Sequence, residues 1–370
     1  MKIDFANLQL QYQTYKDKID DNIQAILNKS NYILGEEVQI LEQELQNFTG
    51  VKYAIACSSG TDALLLAMMA LDIQPDDEII TTPFTWISTA EMMALIKAKP
   101  VFVDIETDTY NIDANLIEAA ITKKTKAIMP VSLYGQPADL DAIQTIAYKY
   151  NLKVIIDGAQ SFGSTYNNKT DSNLADISTT SFFPSKPLGC YGDGGAVFTN
   201  NEEYANKIKL LRVHGQNKRY HHKYIGIGGR LDTMQAGILL AKLPNFKKEL
   251  KDRQKVADHY TNGLSKILQT PVIKINRSSA WAQYTLRVKN RDTLQLKLKE
   301  NGIPTSVFYP IPLHLQECFK YLNYKKGTFP VSERSSNEVI SIPINAFISN
   351  KEINYIINNI KKFFNTKKAS

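Results

Sequence analysis

The chain has 370 residues, 44 of them Lys or Arg against 37 Asp or Glu, for a net charge of +7 at pH 7. With a 43% hydrophobic fraction, it reads as an ordinary globular protein of two domains, or three at most. The basic excess is spread along the chain. Its one dense cluster, KKFFNTKKAS at 361–370, reads as a solvated helix end rather than the aromatic-interleaved basic face that nucleic acid requires. Composition alone leaves an anionic small substrate open.

Cys57, Cys190 and Cys318 are far apart and odd in number, which excludes a disulfide framework and a zinc pattern. No bound metal is expected. MKIDFANLQLQYQ has polar residues where a signal peptide needs an apolar core, and no apolar run approaches the ~20 residues of a membrane span. A cytoplasmic protein without membrane insertion is expected.

In chain order, GEEVQILEQELQNFTG carries Val38, Leu41, Leu45 and Phe48 at helical spacing, with Gly50 as its stop. YAIAC (53–57) is a short buried strand, and SSGTDALLLAMMAL a helix starting at Thr61 or Asp62, capped by the threonine. STAEMMALIKAK is a helix, PVFVDI a strand, KAIMPVSLY a strand, DLDAIQTIAYKY a helix and KVIID (153–157) a strand. This alternation predicts an α/β fold, a parallel sheet covered on both faces, up to about residue 240. The character changes near Pro244, where a long charged helix is expected to begin. A strand AQYTLRVK, a helix from Asp292, a Pro-rich SVFYPIPLH and a final amphipathic helix follow. The predicted division is a large domain at 1–243 and a smaller α+β domain at 244–370.

Four stretches could carry chemistry. CSSGTDALLLAM puts small and hydroxylic residues between a strand and a helix N-terminus, where free N–H groups and the helix dipole favour an anion; a plain helix cap is the alternative. KVIIDGAQSFG ends a strand in Asp157, at the sheet edge where α/β folds bind ligands; alone, it reads equally as a turn or cap aspartate. TTPFTWIS puts Trp86 in a loop after a strand, as packing or as an aromatic shelf. SFFPSKPLGCYGDGGAVFTN sets Lys186 between Pro184 and Pro187, with glycines behind, a context that holds a lysine in place. Together, an anion cradle, an aromatic shelf, a carboxylate and a held lysine suit a pyridine-ring cofactor with a phosphate and an aldehyde. GxxxxGK[ST] is absent, and GDGG and GIGG lack the strand–turn–helix context of a dinucleotide fingerprint, so an ATP- or NAD-dependent enzyme ranks low.

GTDALLLAM, FTWISTAEM, DGAQSFG, SFFPSKPLGCYGDGG and RLDTMQAGILLAKL resemble the DegT/StrS family of pyridoxal-phosphate-dependent nucleotide-sugar aminotransferases over nearly the whole chain. PVSLYGQ and YPIPL are most similar to members acting on UDP-2-acetamido-3-keto-glucuronate. The resemblance implies a fold-type I aminotransferase and a homodimer with shared active sites. It also implies pyridoxal 5′-phosphate as the cofactor and L-glutamate as the amino donor. Lys186 is implied as the Schiff-base lysine and Asp157 as the partner of the ring nitrogen. Gln160 is implied near the ring oxygen, Gly60, Thr61 and Ser181 at the phosphate, and Trp86 stacked on the ring. Tyr32, Ser185, Arg230 and Tyr309 match positions that touch the sugar nucleotide, which is UDP-linked by resemblance, with dTDP and GDP as alternatives. Two residues depart from the pattern. Gly228 stands where relatives carry an asparagine that reaches the partner's cofactor phosphate, and Phe308 stands where close relatives carry histidine. The implied reaction is amination at C3 of a keto-sugar nucleotide for bacterial surface polysaccharide, with O-antigen of lipopolysaccharide as one destination. C4 amination of the perosamine-synthetase type is the alternative, and a non-catalytic cofactor-binding sensor a further one. The presence of Lys186 argues against the family's sugar dehydratases, which have lost it.

Overall fold

The computed structural model describes residues 3–366; the last four residues of the C-terminal basic cluster lie outside them. Helix α1 (Leu8–Lys29) and helix α2 (Glu36–Thr49) come first. In α2 the predicted stripe is buried at Val38, Leu41 and Leu45, acidic Glu36 and Glu37 sit in the first turn, and Gly50 ends the helix at φ 75°, a left-handed cap that glycine adopts without strain. The polar α1 had no visible apolar stripe to announce it. It buries only Gln11, Ile19 and Ile26, and Ile19 packs against Ile238 and Ala241 of a later helix.

Strands β1 (Tyr53–Cys57), β2 (Glu78–Thr81), β3 (Lys99–Phe102), β4 (Thr125–Ile128), β5 (Lys153–Asp157), β6 (Ile177–Ser181) and β7 (Gly195–Thr199) form one sheet in the order β1-β7-β6-β5-β4-β2-β3. β7 runs antiparallel to both neighbours and every other pair is parallel. Helices α3 (Gly60–Ala70), α4 (Ser88–Leu95), α5 (Leu140–Tyr150) and α6 (Glu202–Leu211) are wound between the strands. Separate apolar clusters cover the sheet, one including Leu66, Met68, Ile155 and Val197, the others including Ile143 with Ile156 and Phe162 with Phe198. The expected α/β architecture is present, and the carboxyl ends of β1, β2, β5 and β6 share one edge.

Several boundaries differ from expectation. Ser59, not Thr61, caps α3, because its hydroxyl accepts from the Asp62 N–H at 3.0 Å. α4 stops at Leu95 because Lys97 turns to φ 63°. Of KAIMPVSLY only the first part is a ladder strand; beyond Ile128 the chain bends toward a turn in which Tyr134 sits at φ 58°. The long helix expected after Pro244 starts earlier. Helix α7 runs from Thr233 to Leu264 with Pro244 inside it. Buried Ile238, Leu239 and Leu243 before the proline, and Phe246 after it, keep both halves packed, which outweighs the missing N–H. The expected division at 243/244 therefore falls within one continuous helix.

Beyond α7, strands β8 (Tyr284–Arg287) and β9 (Val339–Ile342) pair antiparallel. Helices α8 (Arg291–Glu300), α9 (Pro330–Glu338) and α10 (Asn350–Thr366) accompany them. The second half of α7 shares a core with these elements through Tyr260, Leu264, Tyr284, Leu294, Ile340 and Ile356. Among the described residues no helix is long and apolar enough to cross a membrane, and no group of three His, Cys, Asp or Glu comes together to hold a metal ion.

Candidate active site

A cleft of about 600 Å³ opens at the carboxyl edge of the sheet, within the size range of small-molecule sites. Its walls include Gly60, Thr61, Trp86, Asp157, Gln160, Ser181, Ser185, Lys186, Phe308 and Tyr309. Residues from five separate stretches of sequence thus face one space. Tyr32 and Arg230 do not line it. Tyr32 is 46% exposed, and the two belong to a neighbouring surface where Ile33 pairs with Asp232 and the Thr233 N–H donates to the Tyr32 carbonyl at 2.9 Å. That surface abuts the cleft, since the Ser58 N–H donates to the Gly229 carbonyl at 3.0 Å.

The anion cradle is made by backbone. At the start of α3 the Asp62 N–H is taken by Ser59, and the Ala63 N–H by the Ser59 carbonyl. The N–H groups of Gly60 and Thr61 have no acceptor among the described residues, as the geometry of a helix start requires. A Cβ on Gly60 would stand 2.6 Å from Ser181 Cβ, so only glycine lets the two strand ends close on the cradle. Thr61 Oγ1 shares a hydrogen bond with Ser88 Oγ at 2.8 Å. Ser181 Oγ accepts from the Phe183 N–H at 3.2 Å, which leaves its own proton free to donate. Ser88 gives its own proton to Glu91, so Thr61 donates to Ser88, and the two N–H groups with the Ser181 hydroxyl are the donor set for a phosphate monoester at this helix N-terminus.

At the floor, Asp157 is 5% exposed. One carboxylate oxygen accepts from Thr89 Oγ1 at 2.7 Å and the other from the Ala159 N–H at 3.2 Å. Burial raises its pKa, against the lowering effect of these bonds and of the Lys186 charge. Burial lowers the pKa of Lys186, and Asp157 opposes that shift. The pair is close enough to interact yet makes no ion pair. Among the described residues the Lys186 amine has no hydrogen-bond partner, and it faces the cleft. A desolvated amine of this kind is a nucleophile and a proton carrier.

Gln160 is held at both ends of its amide. Its Oε1 accepts from the Tyr134 N–H at 2.8 Å, and its Nε2 donates to Tyr309 Oη at 3.2 Å. Tyr134 Oη in turn donates to the Phe308 carbonyl. Trp86 stands 57% exposed at the rim, its ring 6.1 Å from that of Tyr309. Asp193 also faces the cleft, whereas Asp176 lies elsewhere, bonded to Lys153 at 3.0 Å. Gly228 is set against the His214 imidazole, whose Cε1 lies 3.2 Å from where a Cβ would be.

Thr89 and Ser88, which secure Asp157 and Thr61, escaped notice in the sequence because they lie in the first turn of α4, among ordinary helix residues. Gln283, immediately before β8, also reaches the cleft wall. Its neighbours carry no motif, so nothing in the sequence singled it out.

Residues 13–361 match the model of the DegT/DnrJ/EryC1/StrS aminotransferase family. The chain belongs to that family. A Pseudomonas aeruginosa relative, UDP-2-acetamido-2-deoxy-3-oxo-D-glucuronate aminotransferase, is 51% identical over 96% of this chain and 98% of its own. A relative from Acidithiobacillus ferrooxidans, UDP-N-acetyl-3-dehydro-alpha-D-glucosamine 3-aminotransferase, is 40% identical over 92% of each chain. The crystal structure of NtdA from Bacillus subtilis with bound cofactor PMP superposes with a TM-score of 0.92 at 29% identity, covering 98% of this chain and 85% of that one. As a family member this chain is a pyridoxal-phosphate-dependent aminotransferase of the fold-type I architecture. The cradle, the buried carboxylate and the free lysine amine fit that cofactor's phosphate, ring nitrogen and aldehyde.

Proposed function

We propose that the protein transfers an amino group from L-glutamate to C3 of a UDP-2-acetamido-3-keto-hexose or -hexuronate. The observation that carries the reading is the convergence of the unpaired Lys186 amine and the buried Asp157 carboxylate on one cleft. The named activities of the 51% and 40% identical relatives support the choice of C3.

Bound pyridoxal phosphate supplies an aldehyde that accepts an amino group and a ring that withdraws electrons from the neighbouring bond. The N–H groups of Gly60 and Thr61 and the hydroxyl of Ser181 would hold the phosphate. Trp86 covers the ring from the rim. Asp157, oriented by Thr89, keeps a proton on the ring nitrogen. Gln160, fixed by Tyr134, has one amide proton left for the ring oxygen. Lys186 Nζ takes the Cα proton of the donor in the first half-reaction and delivers a proton to the sugar C3 in the second. Ser185, Phe308 and Tyr309 line the approach of the sugar. The phenyl group of Phe308 offers no hydrogen bond to a carboxylate at C6.

A homodimer with shared sites completes this reading. Among the cleft-lining residues Lys186 is the single cation, facing Asp157 and Asp193. A phosphate monoester, a dicarboxylate donor and a nucleoside diphosphate need more positive charge than one chain brings to the cleft. Tyr32 and Arg230 lie on the adjoining surface, placed for a partner's site or for the nucleotide arm of their own. The large and small units predicted around residue 243, joined by α7, form the two sides of the cleft in this proposal. The enzyme acts in the cytoplasm, in the synthesis of a bacterial surface polysaccharide such as O-antigen.

The test is the visible spectrum of the cofactor-loaded protein during titration with matched UDP-3-amino and UDP-4-amino sugars. Amino sugars drive the second half-reaction backwards, so the 3-amino compound alone is expected to convert the spectrum to that of the amine form. Conversion by the 4-amino compound alone would overturn the C3 reading.

A further inference from the structure

The loop from Phe182 to Tyr191 carries Lys186, and two side chains of α7 grip it from behind. Lys242 is 1% exposed. Its ammonium donates to the Gly189 carbonyl and lies 4.6 Å from the centre of the Tyr191 ring. Gln235, seven residues earlier and therefore on the same face of the helix, accepts from the Tyr191 N–H at 2.9 Å. Its Nε2 reaches back to the Tyr191 carbonyl at 3.5 Å. The Gly189 carbonyl has no other donor among the described residues.

Among the described residues Lys242 makes no ion pair with a carboxylate. Glu249 and the Cys190 thiol are the titratable groups that act on it, and burial brings its pKa down to about 8. Such a buried cation is unfavourable unless its hydrogen bond compensates. An apolar residue of equal length would fill the space without that penalty and would leave the Gly189 carbonyl bare. Lys242 bonds to the backbone of the loop at Gly189, three residues from Lys186.

The loop has little freedom elsewhere. The Cys190 N–H donates to the Phe182 carbonyl at 2.7 Å, and the Phe182 N–H to the Gly194 carbonyl at 2.7 Å. A Cβ on Gly189 would stand 2.4 Å from the Pro184 carbonyl oxygen. The internal bonds close the loop on itself. Gln235 and Lys242 tie it to α7.

We propose that Lys242, with Gln235, is a positioning residue for Lys186, holding the catalytic loop at Gly189 and Tyr191 so that the Lys186 amine stays aimed into the cleft. This rests on Lys186 being the catalytic lysine. Lys186→Ala tests that premise separately, because the clamp is read from the loop itself.

The experiment compares cofactor-loaded wild type with Lys242→Met, Gln235→Ala and the double variant. Lys242→Met is expected to lower kcat about 10- to 100-fold, the scale of a small misplacement of a reacting group, with the KM of the amino sugar little changed. Backbone hydrogen exchange across residues 182–194 rises, and the pH midpoint of the visible absorption band moves. Gln235→Ala, which leaves the buried amine alone, shows the same pattern more weakly, and it carries the test if Lys242→Met does not fold. Because both side chains hold one loop, the double variant loses less than the product of the single losses. A Lys242→Met protein with wild-type kcat, loop exchange and pH midpoint would overturn the proposal. So would one that is only less heat-stable, since that outcome makes Lys242 a packing residue of α7.

Discussion

The floor of the cleft and its rim are built differently. At the floor, Asp157 has a partner on each oxygen, Gln160 is held at both ends, and Lys186 rides on a loop closed by its own backbone and tied to α7. At the rim, Trp86 is 57% and Phe183 50% exposed, and Tyr32 and Arg230 lie on the surface beyond. In the proposed function the floor holds the cofactor, and its side chains are fixed by bonds within this chain. In the proposed function the rim meets the substrate; of the two departures from the family pattern Phe308 lies there, whereas Gly228 stands against His214 away from the cleft lining.

Breaking the floor has the largest effects. Lys186→Ala is expected to lose at least ~10²–10⁴ in turnover, the usual value of positioned acid–base transfer, in a glutamate-dependent assay with a 3-keto-sugar nucleotide. Asp157→Ala follows, with a loss of about 10² or more in turnover, on the scale of removing a preorganised charge, while the protein still binds the cofactor. Full activity in that variant would remove Asp157 from the mechanism. Gly60→Ala pushes a Cβ against Ser181. It is expected to cost about 1–3 kcal/mol in chemical denaturation and to weaken cofactor binding measured by equilibrium dialysis.

A pH prediction concerns what lies beneath the floor. Asp171 is 1% exposed behind the Asp157–Gln160 turn, accepts from Ser161 Oγ, and has its pKa raised by burial to about 7. Folded, it keeps a proton that an unfolded aspartate releases near its ordinary value of 3.8. Between those values the folded state binds more protons, so its contribution to stability falls as pH rises from about 4 to 7. Asp171→Asn should flatten that part of the denaturation profile. An unchanged slope would mean that Asp171 ionises normally.

The smallest effect belongs to the rim. Phe308→His should raise the turnover of a glucuronate substrate relative to its glucose form, by about 10-fold if a single hydrogen bond is restored. No change in that ratio would show that position 308 does not read the sugar's C6.

Much of the floor could be read from the sequence because its parts are short and local. YAIAC, KVIID and the Pro-flanked lysine specify strand ends and a constrained loop through residue type alone, and the two strands have the expected boundaries. Caps and turns were harder. Ser59 and Thr61 are both competent caps two residues apart, and backbone geometry chose Ser59. α1 stayed invisible because a mostly polar helix is stabilised by what it packs on, and α7 was cut at Pro244 because local propensity weighs a proline more heavily than the core on both sides of it.

By itself the sequence determined the chemistry available: a lysine that cannot relax into helix, a carboxylate at a strand end, and a helix start rich in small residues. Only the tertiary structure decided which of these share a space and what holds them there. Thr89 behind Asp157, Tyr134 behind Gln160, and Lys242 behind the Lys186 loop are 68, 26 and 53 residues from the groups they hold. Contacts at such separations leave no local period or spacing in the chain. They exist only once burial has brought the elements together and each enclosed polar group has had to find a partner.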